Sequence, residues 1–177
     1  MRRFLDRLYA GSGALAAVCV FLICALMLAQ AFARGIGAQI RGTDDIVSWL
    51  CAAAAFFALG HTFRHGELVR VGLFIDMLGP GKRRYAEVVA LTITALFVAY
   101  MAWAATRFVY DSWTFHEVAQ GLIKIPIWIP QLSFVIGVAI FLVAVLDELV
   151  TVRRGQKPAY QVAEDDRRAQ GDLSEMA

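Results

Sequence analysis

Four long apolar runs, residues 10–33, 46–63, 88–108 and 127–146, constrain this chain more than any other feature. Each is close to the ~20 residues that a helix needs to cross a hydrocarbon core. Apart from Arg107, none of them holds an Asp, Glu, Lys or Arg. Inside a bilayer every backbone N–H and C=O must find a partner within the protein, so an apolar run of this length has to be helical. With 59% hydrophobic residues and a mean hydropathy of +0.60, the chain reads as an all-α membrane protein with four transmembrane helices in one membrane domain, residues 1–150.

The first run needs a separate decision, because Met1-Arg-Arg, a greasy stretch and Ala31-Phe32-Ala33 together imitate a cleavable signal peptide. A secretory apolar region is typically ~7–15 residues, and this one is longer, so it reads as a permanent span. Basic residues then set orientation. Thirteen of the 17 lysines and arginines flank one side, before span one, between spans two and three, and after span four; Arg34, Arg41, Arg107 and Lys124 flank the other. The positive-inside rule places both termini in the cytoplasm. A net charge of +2, with the basic residues at membrane boundaries, points to anionic lipid and excludes a nucleic-acid partner. Cys19, Cys24 and Cys51 fall inside apolar runs without C-x-x-C spacing, which argues against a zinc site or a disulfide framework.

The connections carry further expectations. Leu68, Val71, Ile75 and Leu78 recur at helical spacing and Gly79-Pro80-Gly81 stops the pattern, so residues 66–78 read as a short interfacial amphipathic helix. Arg64, His65, Glu67 and Arg70 around its start are candidates for the cytoplasmic interface with lipid. Thr43-Asp44-Asp45 reads as an N-cap cluster for span two. Residues 151–177 are polar throughout and read as a disordered cytoplasmic tail.

Little in the spans suggests chemistry. A self-sufficient transporter needs ionisable groups or unwound backbone near the midplane, and here the spans offer scattered polar residues such as Gln30, Ser48, Thr92, Thr94 and Ser133 and no obvious translocation site. Gly79-Pro-Gly-Lys82 lacks the upstream glycine and the following hydroxyl of a phosphate-binding loop. His61 and His65 lie four apart on one helix and could hold a haem or metal, but interfacial hydrogen bonding accounts for them, so neither cofactor nor catalysis is expected. Arg107 and Asp111, also four apart, read as a solvated surface ion pair.

Residues 121–131, Gly-Leu-Ile-Lys-Ile-Pro-Ile-Trp-Ile-Pro-Gln, are the exception. Each residue before a proline is pushed toward extended backbone, so span four should begin at Pro130, leaving residues 125–129 extended with bare peptide groups. Irregular backbone at that depth is tolerated only under a cover. The segment therefore either skims the interface or is roofed by another polypeptide, and it reads as a rigid apolar docking surface, with Lys124, Pro126, Trp128, Pro130 and Gln131 as its candidate residues.

Trp113, the run Gly121 to Gln131 and the Arg64-His-Gly-Glu-Leu-Val-Arg-Val stretch before the amphipathic helix resemble the small, Q-type membrane subunit of tripartite ATP-independent periplasmic (TRAP) transporters, over roughly residues 1–150. Leu68 and Gly72 depart from that pattern, where the family often has His and Asp. The resemblance implies a multi-pass protein of the bacterial inner membrane. It also implies a scaffold role toward a large multi-spanning subunit that holds the substrate and sodium sites, and a soluble periplasmic protein that delivers an organic acid. Two other readings remain open from the residues alone: a haem- or quinone-linked anchor of an oxidoreductase, using His61 or His65, and a self-contained four-helix channel or exporter.

Overall fold

The computed structural model describes residues 2–38, 40–64 and 80–155. The expected interfacial helix over 66–78, with His65, Glu67 and Arg70, lies outside the described residues, as does the tail from residue 156. The described chain is four helices: α1 Arg2–Gly35, α2 Thr43–Arg64, α3 Pro80–Thr114 and α4 Trp128–Arg153. Each contains a stretch long and apolar enough to cross a membrane, as the four runs predict. The helices run past the four apolar runs at every end but the start of α4, because hydropathy marks where a helix meets lipid whereas its ends are set by capping. α4 continues to Arg153, so the boundary drawn at residue 150 falls within its last turn.

α2 and α4 pack together in the middle, with α1 against α2 and α3 against α4. The tightest core lies toward the end of the bundle that carries the chain termini. There Tyr9, Phe63, Leu91, Ala95, Ala144, Val145, Leu149 and Val152 gather from all four helices, and Phe141 meets the Phe63 ring edge-on at 5.4 Å. At this end the Arg64 guanidinium reaches Asp6 of α1 at 2.5 Å and Asp147 of α4 at 3.3 Å. It also lies 5.1 Å from the centroid of the Tyr9 ring. Arg64, a candidate for the lipid interface by sequence, is thus drawn inward as a tie between three helices. Its charge is shared with two carboxylates, which offsets the loss of water around it.

The middle of the α2–α4 contact depends on small residues, as helix pairs in lipid generally do. A Cβ added to Gly137 would sit 2.6 Å from the backbone carbonyl carbon of Phe56, so only glycine lets the two backbones approach this closely. Phe56 and Phe134 close the crossing beside it, their ring centroids 4.2 Å apart. Elsewhere the bundle is turned inside out relative to a water-soluble one. Only 17–22% of each apolar window is buried, so most of each span needs an apolar surrounding. Phe21, Leu96, Phe97 and Trp103 are among the large side chains that point outward.

Two helices end alike. At the end of α1, Gly37 N–H donates to the Arg34 carbonyl and Ala38 N–H to that of Ala33, with Gly37 at φ 76°. At the end of α3, His116 N–H donates to Trp113 and Glu117 N–H to Ser112, with His116 at φ 51°. Both are Schellman caps, and the second places histidine in the left-handed position that usually takes glycine.

Candidate functional site

At the end of the bundle opposite the termini, the α3–α4 connection doubles back on itself. Beyond the Schellman cap, Ser112 Oγ donates to the Glu117 carboxylate at 2.9 Å, and the chain runs outward to residue 123 before returning. Val118 and Pro126 pair in an isolated antiparallel bridge. Ala119 N–H donates to the Ile125 carbonyl at 2.9 Å and Ile127 N–H to the Glu117 carbonyl at 3.0 Å.

This pairing corrects the expectation of bare peptide groups. Ile125 N–H donates to Ile123, the Pro126 carbonyl accepts from Ile129, and the Ile127 carbonyl accepts from Gln131. With the two bridge bonds, every backbone donor and acceptor of residues 125–127 is therefore satisfied within the chain. The helix start is corrected as well. Ile127 is the N-cap, with helical φ −70° and ψ −19°, and α4 begins at Trp128. Pro130 is the third helical residue, where an N–H would have no intrahelical acceptor, so proline fits there as well as at the first position. The extended stretch is shorter than the proline spacing suggests, and it needs no partner for its backbone.

What the segment offers instead is side chains. Trp128 and Leu132 with Val135 of α4 face Thr106, Val109, Tyr110 and Trp113 of α3 across an apolar groove of about 330 Å³. Trp128 is half-buried at this groove, whereas Trp113 and Tyr110 beside it are more than half exposed. Lys124 and Pro126 are exposed, Pro130 and Gln131 half-buried. Gln131 Oε1 is enclosed and meets no donor among the described residues. The candidate residues thus lie along one continuous turn-and-helix entry, and Trp128 and Trp113 flank its apolar opening.

Sequence reasoning missed Asp45. As an acid in the first turn of α2 it reads as a capping residue. Its Oδ2 instead accepts N–H bonds from Leu122 at 2.8 Å and Ile123 at 3.2 Å, across 77 and 78 residues of sequence. Thr43 Oγ1 meanwhile donates to the Ile40 carbonyl at 3.2 Å. Arg107 also departs from expectation: it forms no ion pair with Asp111 and lies 5.7 Å from the centroid of Trp103, one turn back. The basic residue precedes the acidic one in that pair, which is the weaker order on a helix.

Residues 23–155, most of the chain, match the model of the DctQ component of tripartite ATP-independent periplasmic transporters. The chain belongs to the DctQ family. It is a small permease component of a TRAP transporter, a multi-pass membrane protein of a transport rather than an enzyme family. No curated protein matches the chain.

For a DctQ component the fate of the polar residues in the spans is informative. Ser48 donates to the Asp44 carbonyl, Thr92 to Val88, Thr94 to Ala90 and Ser133 to Pro130. Each hydroxyl is taken up by its own helix one turn back, a common local bond that leaves it little capacity for a passing solute. His61 sets its ring against Gly13 of α1, where an added Cβ would lie 2.9 Å from it, a packing role in the α1–α2 contact.

Proposed function

We propose that this DctQ chain is the scaffold of a sodium-driven importer, docking through its proline segment onto a large membrane subunit that carries the sodium and organic-acid sites. A periplasmic binding protein supplies the acid, and the chain itself needs no cofactor. It sits in the bacterial inner membrane with both termini in the cytoplasm, which puts the proline segment at the periplasmic side.

The observation that carries this reading is the Trp128 groove. The backbone of residues 125–127 beside it is already satisfied and its walls are apolar, so a partner gains there by burying side chains against a preformed, proline-stiffened surface. That is the economical way to bind, because little conformational entropy is lost at the moment of contact. Aromatic anchors of this type typically contribute about 2–4 kcal/mol when truncated to alanine.

The test is co-expression with the large subunit and the binding protein. Trp128→Ala should insert normally, lose most of the two-subunit complex in mild detergent and take up little organic acid, while Lys124→Gln, whose long side chain snorkels to the headgroups, should do much less. A Trp128→Ala chain that assembles and transports like the wild type overturns the docking surface.

A further inference from the structure

We propose that Asp45 is the positioning residue of the docking segment: from the first turn of α2 its carboxylate holds the turn at residues 121–123 and so fixes where Pro126 and Trp128 stand. This rests on the docking role proposed for that segment.

The contact has the marks of a built clamp. One carboxylate oxygen accepts two successive backbone N–H groups, from Leu122 at 2.8 Å and Ile123 at 3.2 Å. A charged acceptor roughly doubles the strength of such bonds. The carboxylate also sits at the N-terminus of α2, where the helix dipole favours negative charge. Two glycines make room. A Cβ on Gly121 would collide with the Asp45 carboxylate, and one on Gly42 would sit 2.6 Å from the Ile123 side chain, with Gly42 at φ +83°. The α1–α2 turn and the α3–α4 connection therefore close on each other through one acid and two residues without side chains.

From the clamp to the anchor the path is short and carries a hydrogen bond at Ile123, Ile125 and Ile127. Ile123 accepts from Ile125, Ile125 accepts from Ala119, and Ile127 donates to Glu117 before α4 begins at Trp128. Without Asp45, two adjacent N–H groups lose their acceptor at a depth where headgroup water can replace it. The bundle stays folded, but the turn that sets the register of the proline segment is released.

Three single variants and one double variant in the full chain test this. In Asp45→Ala, hydrogen exchange at the Leu122 and Ile123 amides, followed in detergent by mass spectrometry, should accelerate about tenfold or more, as expected for a locally opened turn. The complex yield should fall toward that of Trp128→Ala, with spans and melting profile kept. Asp45→Asn retains one acceptor oxygen and should recover part of both signals. Gly121→Ala should reproduce the loss through its collision with Asp45. Adding it to Asp45→Ala should cause no further loss, because the collision partner is gone; that non-additivity separates a clamp from two unrelated defects. Unchanged exchange in Asp45→Ala, or an undiminished complex, overturns the positioning role. If Trp128→Ala also keeps its partner, the docking surface falls with it; if Trp128→Ala alone loses the partner, only the role of Asp45 does.

Discussion

At Arg64 one guanidinium serves carboxylates on two other helices, and the two contacts are unequal in setting. The Asp6 side chain is 51% exposed, Asp147 28%, so solvent screens the first pair more and an exposed pair is typically worth under ~1 kcal/mol. Arg64→Gln should lower the stability of the bundle by about 1–3 kcal/mol, mostly by leaving Asp147 half-buried without its cation. Thermal unfolding in detergent checks this, and Arg64→Gln with Asp147→Asn should recover part of the loss. Asp6→Asn alone should barely shift the midpoint. His116 gives the opposite sign. A non-glycine residue in left-handed conformation costs roughly 1 kcal/mol, so His116→Gly should raise the midpoint by a few degrees while complex assembly stays unchanged; a lowered midpoint would show that the imidazole makes a contact worth more than the strain. Neither of these roles, nor that of Asp45, was legible in the sequence. Arg64 could be placed at a membrane boundary, but its acids lie 58 and 83 positions away. His116 carries no cap signature because the usual one is glycine, and Asp45 fitted a local role that concealed a distant one.

Between elements, the helices were legible and their joints were not. Apolar runs report lipid contact directly, which is why four spans could be drawn from hydropathy alone. The start of α4 was misplaced because two signals compete there: a residue before proline disfavours helix, yet the first turn of a helix tolerates a missing N–H at any of its early positions. The second effect wins at Pro130 because Ile127 is already helical and capped by the bridge to Glu117. A consequence follows for Pro130→Ala. It removes only the advantage of a stiffer unfolded chain, about 0.4–1 kcal/mol, and should leave the complex largely intact. Pro126→Ala loosens the bridged residues themselves and should weaken the complex more. The small-residue seam between α2 and α4 makes a sharper demand. Gly137→Leu forces a side chain into the Phe56 backbone, an overpacking that typically costs ~1–3 kcal/mol and more where backbone must move. Loss of the folded species on size-exclusion chromatography would check it, and a normally melting Gly137→Leu chain would mean the seam can open without penalty.

The whole molecule presents two surfaces of different kinds. Most of the outward face is single apolar side chains on regular helix, which lipid covers without specificity. The end away from the termini is different: two connections clamped by Asp45, a self-bonded proline segment, and the groove between α3 and α4 opening beside Trp113 and Trp128. Family membership was legible from the proline and tryptophan pattern, of which Trp113 and Trp128 line the groove; the clamp beside it was not, since it depends on backbone amides that have no sequence identity. The orientation of the bundle is open to a direct check. A reporter after Ala177 should be cytoplasmic and one near Arg41 or Glu117 periplasmic, as the flanking charges require; the reverse would invert the assignment of the docking face. Whether the large subunit covers the Trp128 groove can be read by photo-cross-linking in cells that carry the complete transporter, with a benzophenone side chain in place of Trp128. An adduct with the large subunit is the expected main product. Adducts with lipid alone, in a transporter that still takes up its acid, would contradict that cover.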